Sequence, residues 1–378
     1  MHTTNRRDFL YASTRAGLAA ALALKADAAA ENAAGIRKNQ QPGRSYRRLG
    51  RTGFMVSEVV CGGNTIRPTN YRHVELAIEM GLNYCDTAPQ YGGGLSEKGY
   101  AMVISGSRRD RVFVTSKVTP WEHDRLRHFM SIFRELPPAE QKEYLSAAAD
   151  DQRLSRAGEP DYIGGYFPGQ KEALEQTALS NAVERKLGDR GWRKDLVGRI
   201  IGSVDASLER LNTDHLDIFM CPHGAVTPYE ITSFPEILEA FEKLKKAGKV
   251  LHLGVSAHTD PAGIIRAAIA SKIYSVAMVA YNVVNHEYVD AALAEAAKAD
   301  LGIIAMKVAR PVNPDRGYDV PVAPERLERL HKAVPGDLPV PVKAYAFALR
   351  NPHIAAVNSD LSNAARVREN LAIAGKKI

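Results

Sequence analysis

Leu82-Asn83-Tyr84-Cys85-Asp86-Thr87-Ala88-Pro89-Gln90-Tyr91-Gly92 is a short apolar run that stops at an acid. A turn rich in Pro and Gly then presents a tyrosine. Apolar runs of this length, bounded by turn residues, read as buried parallel strands. In a parallel α/β barrel the C-terminal ends of the strands carry the chemistry. Asp86 stands at such an end, and Tyr91 is near enough in sequence to share the mouth with it. Two later runs end in the same way: Val112-Phe113-Val114-Thr115-Ser116-Lys117, and Leu216-Asp217-Ile218-Phe219-Met220-Cys221-Pro222-His223. An acid, a phenol, an ammonium and an imidazole thus end, or closely follow, three strands in order.

Strand and helix signals alternate through most of the chain. Strands are expected at Ser57–Cys61, Leu82–Cys85, Arg111–Lys117, Leu216–Cys221, Val250–Val255, Ser275–Tyr281, Gly302–Met306 and Ile354–Val357. Helical stripes lie between them, as in Gly198–Leu211, where Ile201, Val204, Leu208 and Leu211 share one face. Eight strands joined by helical crossovers point to a single (β/α)8 TIM barrel, an α/β fold that about 250 residues suffice to build. The 378 residues therefore leave room for additions. Tyr46–Val56 reads as an N-terminal β-hairpin with Gly at its turn. After the third strand, about 121–192 is far longer than a βα connection needs. It emerges on the active-site face, and the expectation is a partly helical lid with Trp121 nearest the chemistry.

Residues 1–30 read as a targeting segment. Asn5-Arg6-Arg7-Asp8-Phe9-Leu10 matches a twin-arginine signal, an alanine-rich apolar stretch follows, and Ala26-Asp27-Ala28 and Ala28-Ala29-Ala30 are candidate cleavage sites. That stretch is too short to span a membrane, so no stable membrane anchor is expected. Residues 31–45 read as a linker, and 46–378 as the barrel. A twin-arginine signal implies export of an already folded protein to the periplasm or beyond, with the twin-arginine machinery as partner. Of the net charge of +7, the seven basic and three acidic side chains before Tyr46 supply more than half. No run interleaves Lys or Arg with aromatics, so nucleic acid is not an expected partner. Cys61, Cys85 and Cys221 are widely spaced and odd in number, which excludes a disulfide framework and a paired-cysteine zinc site.

The four strand-end residues suit proton transfer to a carbonyl. A free phenol, with a pKa of about 10, exchanges protons poorly near neutrality. A neighbouring ammonium stabilises the phenolate and lowers that value. Lys117 can supply the ammonium, Asp86 can fix it, and His223 can hydrogen-bond the carbonyl oxygen. Tyr91 is then the acid in reduction and the base in oxidation. Asp86-Thr87-Ala88 with Tyr91-Gly92, Thr115-Ser116-Lys117 and Pro222-His223 resemble the catalytic motifs of the aldo-keto reductases, as does Leu49-Gly50-Arg51-Thr52-Gly53 in the hairpin. The resemblance implies NADP-dependent interconversion of a carbonyl (aldehyde, ketone or sugar) and an alcohol, with NAD possible.

The resemblance also implies cofactor contacts. Gly63 and Asn64 close the first strand. Ser256 matches a nicotinamide contact, Ala257 stands where Asn is usual, and Met278 where Gln is usual. Met306 occupies the place of a stacking aromatic, with Lys307 beside it. Arg366, Glu369 and Asn370 match the residues that grip the adenosine phosphate and adenine; a guanidinium there favours NADP. No G-x-G-x-x-G follows the first strand, which excludes a doubly wound dinucleotide domain. A second reading is a low-turnover NADP-binding barrel that serves as a redox sensor or partner subunit. A metal-dependent barrel needs clustered carboxylates and histidines, and Asp86, His223 and His258 do not make a convincing set, so no metal is expected. Composition and spacing leave the oligomeric state open.

Overall fold

A computed structural model describes residues 35–156, 159, 165–313 and 322–376. The expected signal segment lies outside the described residues. The first elements are two short strands, β1 (Ile36–Arg37) and β2 (Tyr46–Arg48), and β3 (Phe54–Ser57). β2 pairs antiparallel with β3, so the expected hairpin is present, and β1 adds parallel to the other edge of β3. From Ile36 onward the expected linker is therefore part of the fold. Lys38 explains why: its ammonium lies 3.0 Å from the buried Asp217 carboxylate, and Asn39 donates to the Ile78 and Leu82 carbonyls.

The barrel strands follow: β4 (Val59–Gly62), β5 (Tyr84–Asp86), β6 (Phe113–Lys117), β7 (Leu216–Met220), β8 (Val250–Ala257), β9 (Val276–Ala280), β10 (Gly302–Met306) and β11 (Ala356–Ser359). They close in the order β10-β11-β4-β5-β6-β7-β8-β9, with every neighbouring pair parallel. The (β/α)8 barrel read from the sequence is thus the observed fold. Strand bounds differ from expectation by no more than two residues, because a strand's ladder of hydrogen bonds runs only where its neighbours overlap it.

Strand side chains alternate between two cores. Val60, Tyr84, Phe113, Ile218, Met220, Val276, Met278, Ile304 and Met306 fill the barrel interior. Cys61, Cys85, Val114, Phe219, Val255, Ala277 and Val279 face the helical ring. The hairpin plugs the lower end: Leu49, Phe54 and Val56 belong to the interior core, and Phe54 stacks on Phe113 at 4.2 Å. The fit is close, since a Cβ on Gly302 would lie 2.7 Å from the Leu49 carbonyl carbon. With the floor sealed, the opposite end of the barrel is the accessible one.

Among its described residues, the long insertion forms three helices, Glu122–Glu135, Pro138–Leu154 and Gln170–Leu187. Phe129, Tyr144, Ala182 and Val183 give it a small core of its own. A buried ion pair joins its first and third helices, Arg125 to Glu184 at 2.7 Å, inside a cage of Phe129, Trp192, Tyr229 and Phe234. The expectation for Trp121 is corrected. Its ring is 1% exposed and edge-on to Phe234 at 5.5 Å, so it packs the base of the insertion instead of meeting a substrate. A large apolar ring entering a helix gains more from this burial than from the open mouth.

Candidate active site

Asp86 is the last residue of β5 and Lys117 the last of β6, and both side chains are 1% exposed. Their charged atoms lie 2.5 Å apart. Lys117 also donates to the Thr87 carbonyl at 2.9 Å, and Asn358 on β11 donates to the second Asp86 oxygen at 3.1 Å. Burial raises the Asp86 pKa, against the opposing pull of Lys117 and Asn358. Burial also works against the Lys117 charge, but Asp86 and Tyr91 outweigh it and keep the ammonium protonated.

Tyr91 reaches the same spot from the loop after β5. Thr87 hydrogen-bonds Ser96 at 2.7 Å, and Ser96 bonds the Gly63 carbonyl at 2.7 Å. Gly92, Gly93 and Gly94 all have positive φ (64°, 63° and 86°), a turn that side chains would strain. The Lys117 ammonium lies 5.0 Å from the centre of the Tyr91 ring. Burial shifts the phenol above its ordinary 10.0, and this outweighs the pull of Lys117. The expectation of a net lowering is thereby corrected: the phenol stays protonated, the form an acid needs.

His223 meets the Tyr91 ring edge-on at 5.8 Å. Its backbone is clamped to Thr119, with N–H to Oγ1 at 2.7 Å and the Thr119 hydroxyl donating to its carbonyl at 2.8 Å. Its Nδ1 lies 3.2 Å from Gln90 Oε1. Burial, then the charges of Lys117 and Lys307, lower its pKa to about 3. The imidazole is neutral near pH 7 and offers one donor and one acceptor.

Asp86 and Tyr91 line an open cleft of about 640 Å³. That is within the range of roughly 300–1,000 Å³ for small-molecule sites. Gly63, Asn64, Met306, Lys307, Arg366, Glu369 and Asn370 line the same cleft. Asn370 is buried and donates to Ser359 at 2.9 Å. Ser256 is buried at the end of β8, its hydroxyl accepting from the Gly224 N–H at 3.1 Å. Ala257 and Met278 are 0% and 1% exposed. Met278 points into the barrel interior, its sulfur 3.5 Å from the Asn358 amide, because inward positions of a central strand are consumed by packing.

Among the cleft residues that the sequence reading left without a role are Asn358, Arg310 and His258. Asn358 carried a signal, a polar residue ending the apolar run Ile354-Ala355-Ala356-Val357, the same pattern that marked Asp86. The cleft chemistry suits a phosphorylated dinucleotide. Lys307, Arg310 and Arg366 line it, while the acid nearest the barrel, Asp86, is already paired. Burial beside Arg310 and Lys117 lowers the Lys307 pKa to about 8, a cation that an anion would stabilise.

The profile of the aldo/keto reductase family matches residues 60–145 and 166–313. The chain belongs to that family. As a member it is an NAD(P)-dependent oxidoreductase. The unmatched stretch between the two segments falls in the insertion. Among relatives, the uncharacterized oxidoreductase YqkF of Bacillus subtilis is 23% identical over 350 residues, covering 88% of this chain and 91% of the relative. The methylglyoxal reductase YeaE of Escherichia coli is 26% identical over 190 residues, 50% of this chain and 39% of that protein. Among solved structures, the holo form of aldo-keto reductase AKR11C1 from Bacillus halodurans superposes with a TM-score of 0.56 at 20% identity, covering 87% of this chain and 90% of that one. An aldo-keto reductase from Klebsiella pneumoniae in complex with NADPH gives 0.53 at 18%, covering 87% and 89%. These likenesses support the fold.

Proposed function

We propose that this family member is an exported, NADP-dependent reductase of an aldehyde, ketone or sugar carbonyl, with Tyr91 as general acid. What carries the reading is the meeting of Asp86, Lys117, Tyr91 and His223, of which Asp86 and Tyr91 line the cleft. NADPH, when bound, supplies the hydride. The protein's own residues handle the oxygen. The neutral His223 orients it by a hydrogen bond, and the Tyr91 hydroxyl delivers the proton. Lys117 then stabilises the phenolate left behind, and Asp86 holds Lys117 in place. In the oxidative direction Tyr91 takes the proton back.

Arg366 supports NADP over NAD. Arg366 lines the cleft from the last described helix, Ala364–Leu371, and its guanidinium suits a 2′-phosphate. Arg366→Ala is expected to raise the Kd for NADPH roughly 10- to 100-fold, the weight of a charge-assisted hydrogen bond, and to leave NADH nearly unaffected. Fluorescence titration with both nucleotides measures this. An equal effect on both would remove the NADP preference.

Export rests on Arg6-Arg7 and the apolar stretch after them. A chain with Lys at both positions is expected to remain in the cytoplasmic fraction as uncleaved precursor, since the twin-arginine route reads that pair. Unchanged appearance of mature protein in the periplasm would contradict it. Among the described residues, no helix is long and apolar enough to cross a membrane.

A further inference from the structure

The cleft is lined by an imidazole with no role in the proton transfer above. His258 follows the last residue of β8 and lines the same cleft as Tyr91 and Met306. It is close enough to His223, Lys117 and Lys307 for each to act on its charge. Among the described residues, neither ring nitrogen has a hydrogen-bond partner. Burial, then the neighbouring positive groups, hold its pKa well below the usual 6.5, so the ring is neutral, with one N–H and one lone pair to offer.

The insertion fixes this ring and the loop that carries it. Phe167 meets the ring edge-on at 5.2 Å. Gln170 reaches the next residue in the chain, its Nε2 lying 3.4 Å from Thr259 Oγ1. Tyr166 anchors the same segment of the insertion, accepting from Asn282 Nδ2 at 2.7 Å. Asp260 closes the loop by capping the helix Pro261–Ser271 through the Gly263 N–H at 2.9 Å. A polar ring oriented by packing, with its own hydrogen-bonding capacity unspent and facing an open cleft, is a recognition group.

We propose that His258 is a specificity-determining residue that hydrogen-bonds a second oxygen of the substrate, beyond the reacting carbonyl, and that Phe167 of the insertion positions it. The preferred substrates are then oxygenated carbonyl compounds, such as α-dicarbonyls and hydroxyaldehydes, over simple alkanals. This rests on the reductase reading above. A site built to bind such an oxygen discriminates against the analogue that lacks it, because its polar group is then left unpaired.

The test uses the purified full-length protein, NADPH, and two probes of the same carbon count, methylglyoxal and propanal. The quantity read is the ratio of their kcat/KM values, which cancels effects common to both aldehydes. His258→Phe keeps a flat ring and removes both nitrogens. It is expected to lower the ratio roughly 3- to 10-fold, the weight of one neutral hydrogen bond, chiefly through the KM for methylglyoxal. Phe167→Ala is expected to lower it in the same direction, and Phe167→Tyr to restore it. A ratio within twofold of wild type in either His258→Phe or Phe167→Ala overturns the proposal while leaving the reductase reading intact. Wild-type protein that oxidises NADPH with neither aldehyde overturns both. The Phe167 variants lie outside the cleft lining, so they keep the test decisive even if His258→Phe does not fold.

Discussion

Tyr91→Phe is expected to lower kcat/KM for NADPH-dependent aldehyde reduction by about 10²- to 10⁴-fold, the range for loss of a positioned general acid. The change removes one oxygen and keeps the ring that packs against His223 and Lys117. Nucleotide binding should survive, because Lys307, Arg310 and Arg366 line the cleft independently of the phenol. Absorbance of NADPH at a fixed aldehyde concentration reports the first quantity, and fluorescence titration the second. Activity within threefold of wild type would remove Tyr91 from its role. The pH profile adds a second expectation. With His223 lowered to about 3, no inflection near 6.5 belongs to this imidazole, and reduction should be flat through that region.

Lys117→Met should cost both catalysis and stability. The ammonium lies 2.5 Å from Asp86, and both groups are almost fully buried. Removing one partner leaves a buried carboxylate without its counter-charge, a loss of about 3–5 kcal/mol for pairs of this kind. Asp86 can escape by taking up a proton. Its pKa is already raised by burial, and loss of Lys117 removes the positive charge that chiefly opposes the rise. A carboxyl whose folded pKa is raised binds more protons in the folded state than in the unfolded chain. Its stabilising contribution is therefore present below the unfolded value of about 4 and fades as the pH climbs through the folded value. The deficit of Lys117→Met relative to wild type should thus be smallest in acid and grow toward neutrality. The double variant Asp86→Asn/Lys117→Met should be less destabilised than Lys117→Met alone, because no charge is then stranded. Urea denaturation at pH 5 and pH 7.5 would show both effects. A deficit independent of pH would mean that Asp86 is not what Lys117 compensates.

The barrel and the four polar side chains gathered at its mouth were legible because they follow from short-range rules. Apolar runs of five or six residues, separated by stretches with a helical stripe, have few ways to satisfy every backbone group and bury both strand faces; a closed parallel sheet inside a helical ring is one. A polar residue at the end of such a run then has one place to go, the open mouth of the barrel. That logic placed Asp86, Lys117 and, a few residues on, Tyr91 and His223. It would have placed Asn358 as well, since Asn358 ends the eighth run in the same way.

Other features were decided by contacts that local pattern does not encode. Trp121 and Met278 have the types expected of ligand-facing residues, but the first is taken up by the aromatic cage around Arg125 and the second by the barrel interior. Which of two apolar environments a large side chain enters depends on volumes contributed by residues distant in the chain. The sign of the Tyr91 shift likewise depended on two opposing quantities, burial and the Lys117 charge, and their balance follows from distances in space. The insertion could be recognised by its excess length, yet its hold on His258 arises from Phe167 and Gln170 meeting a loop about ninety residues away.

By itself, then, the order of residues determined the alternation of strands and helices, the closed barrel and the chemical types gathered at its mouth, because periodicity and strand-end position act over a few residues at a time. Tertiary structure alone decided which of those side chains face the cleft, which are spent on packing, and how strongly each titrating group is shifted, because burial and charge are set by neighbours that the chain brings together only when it closes.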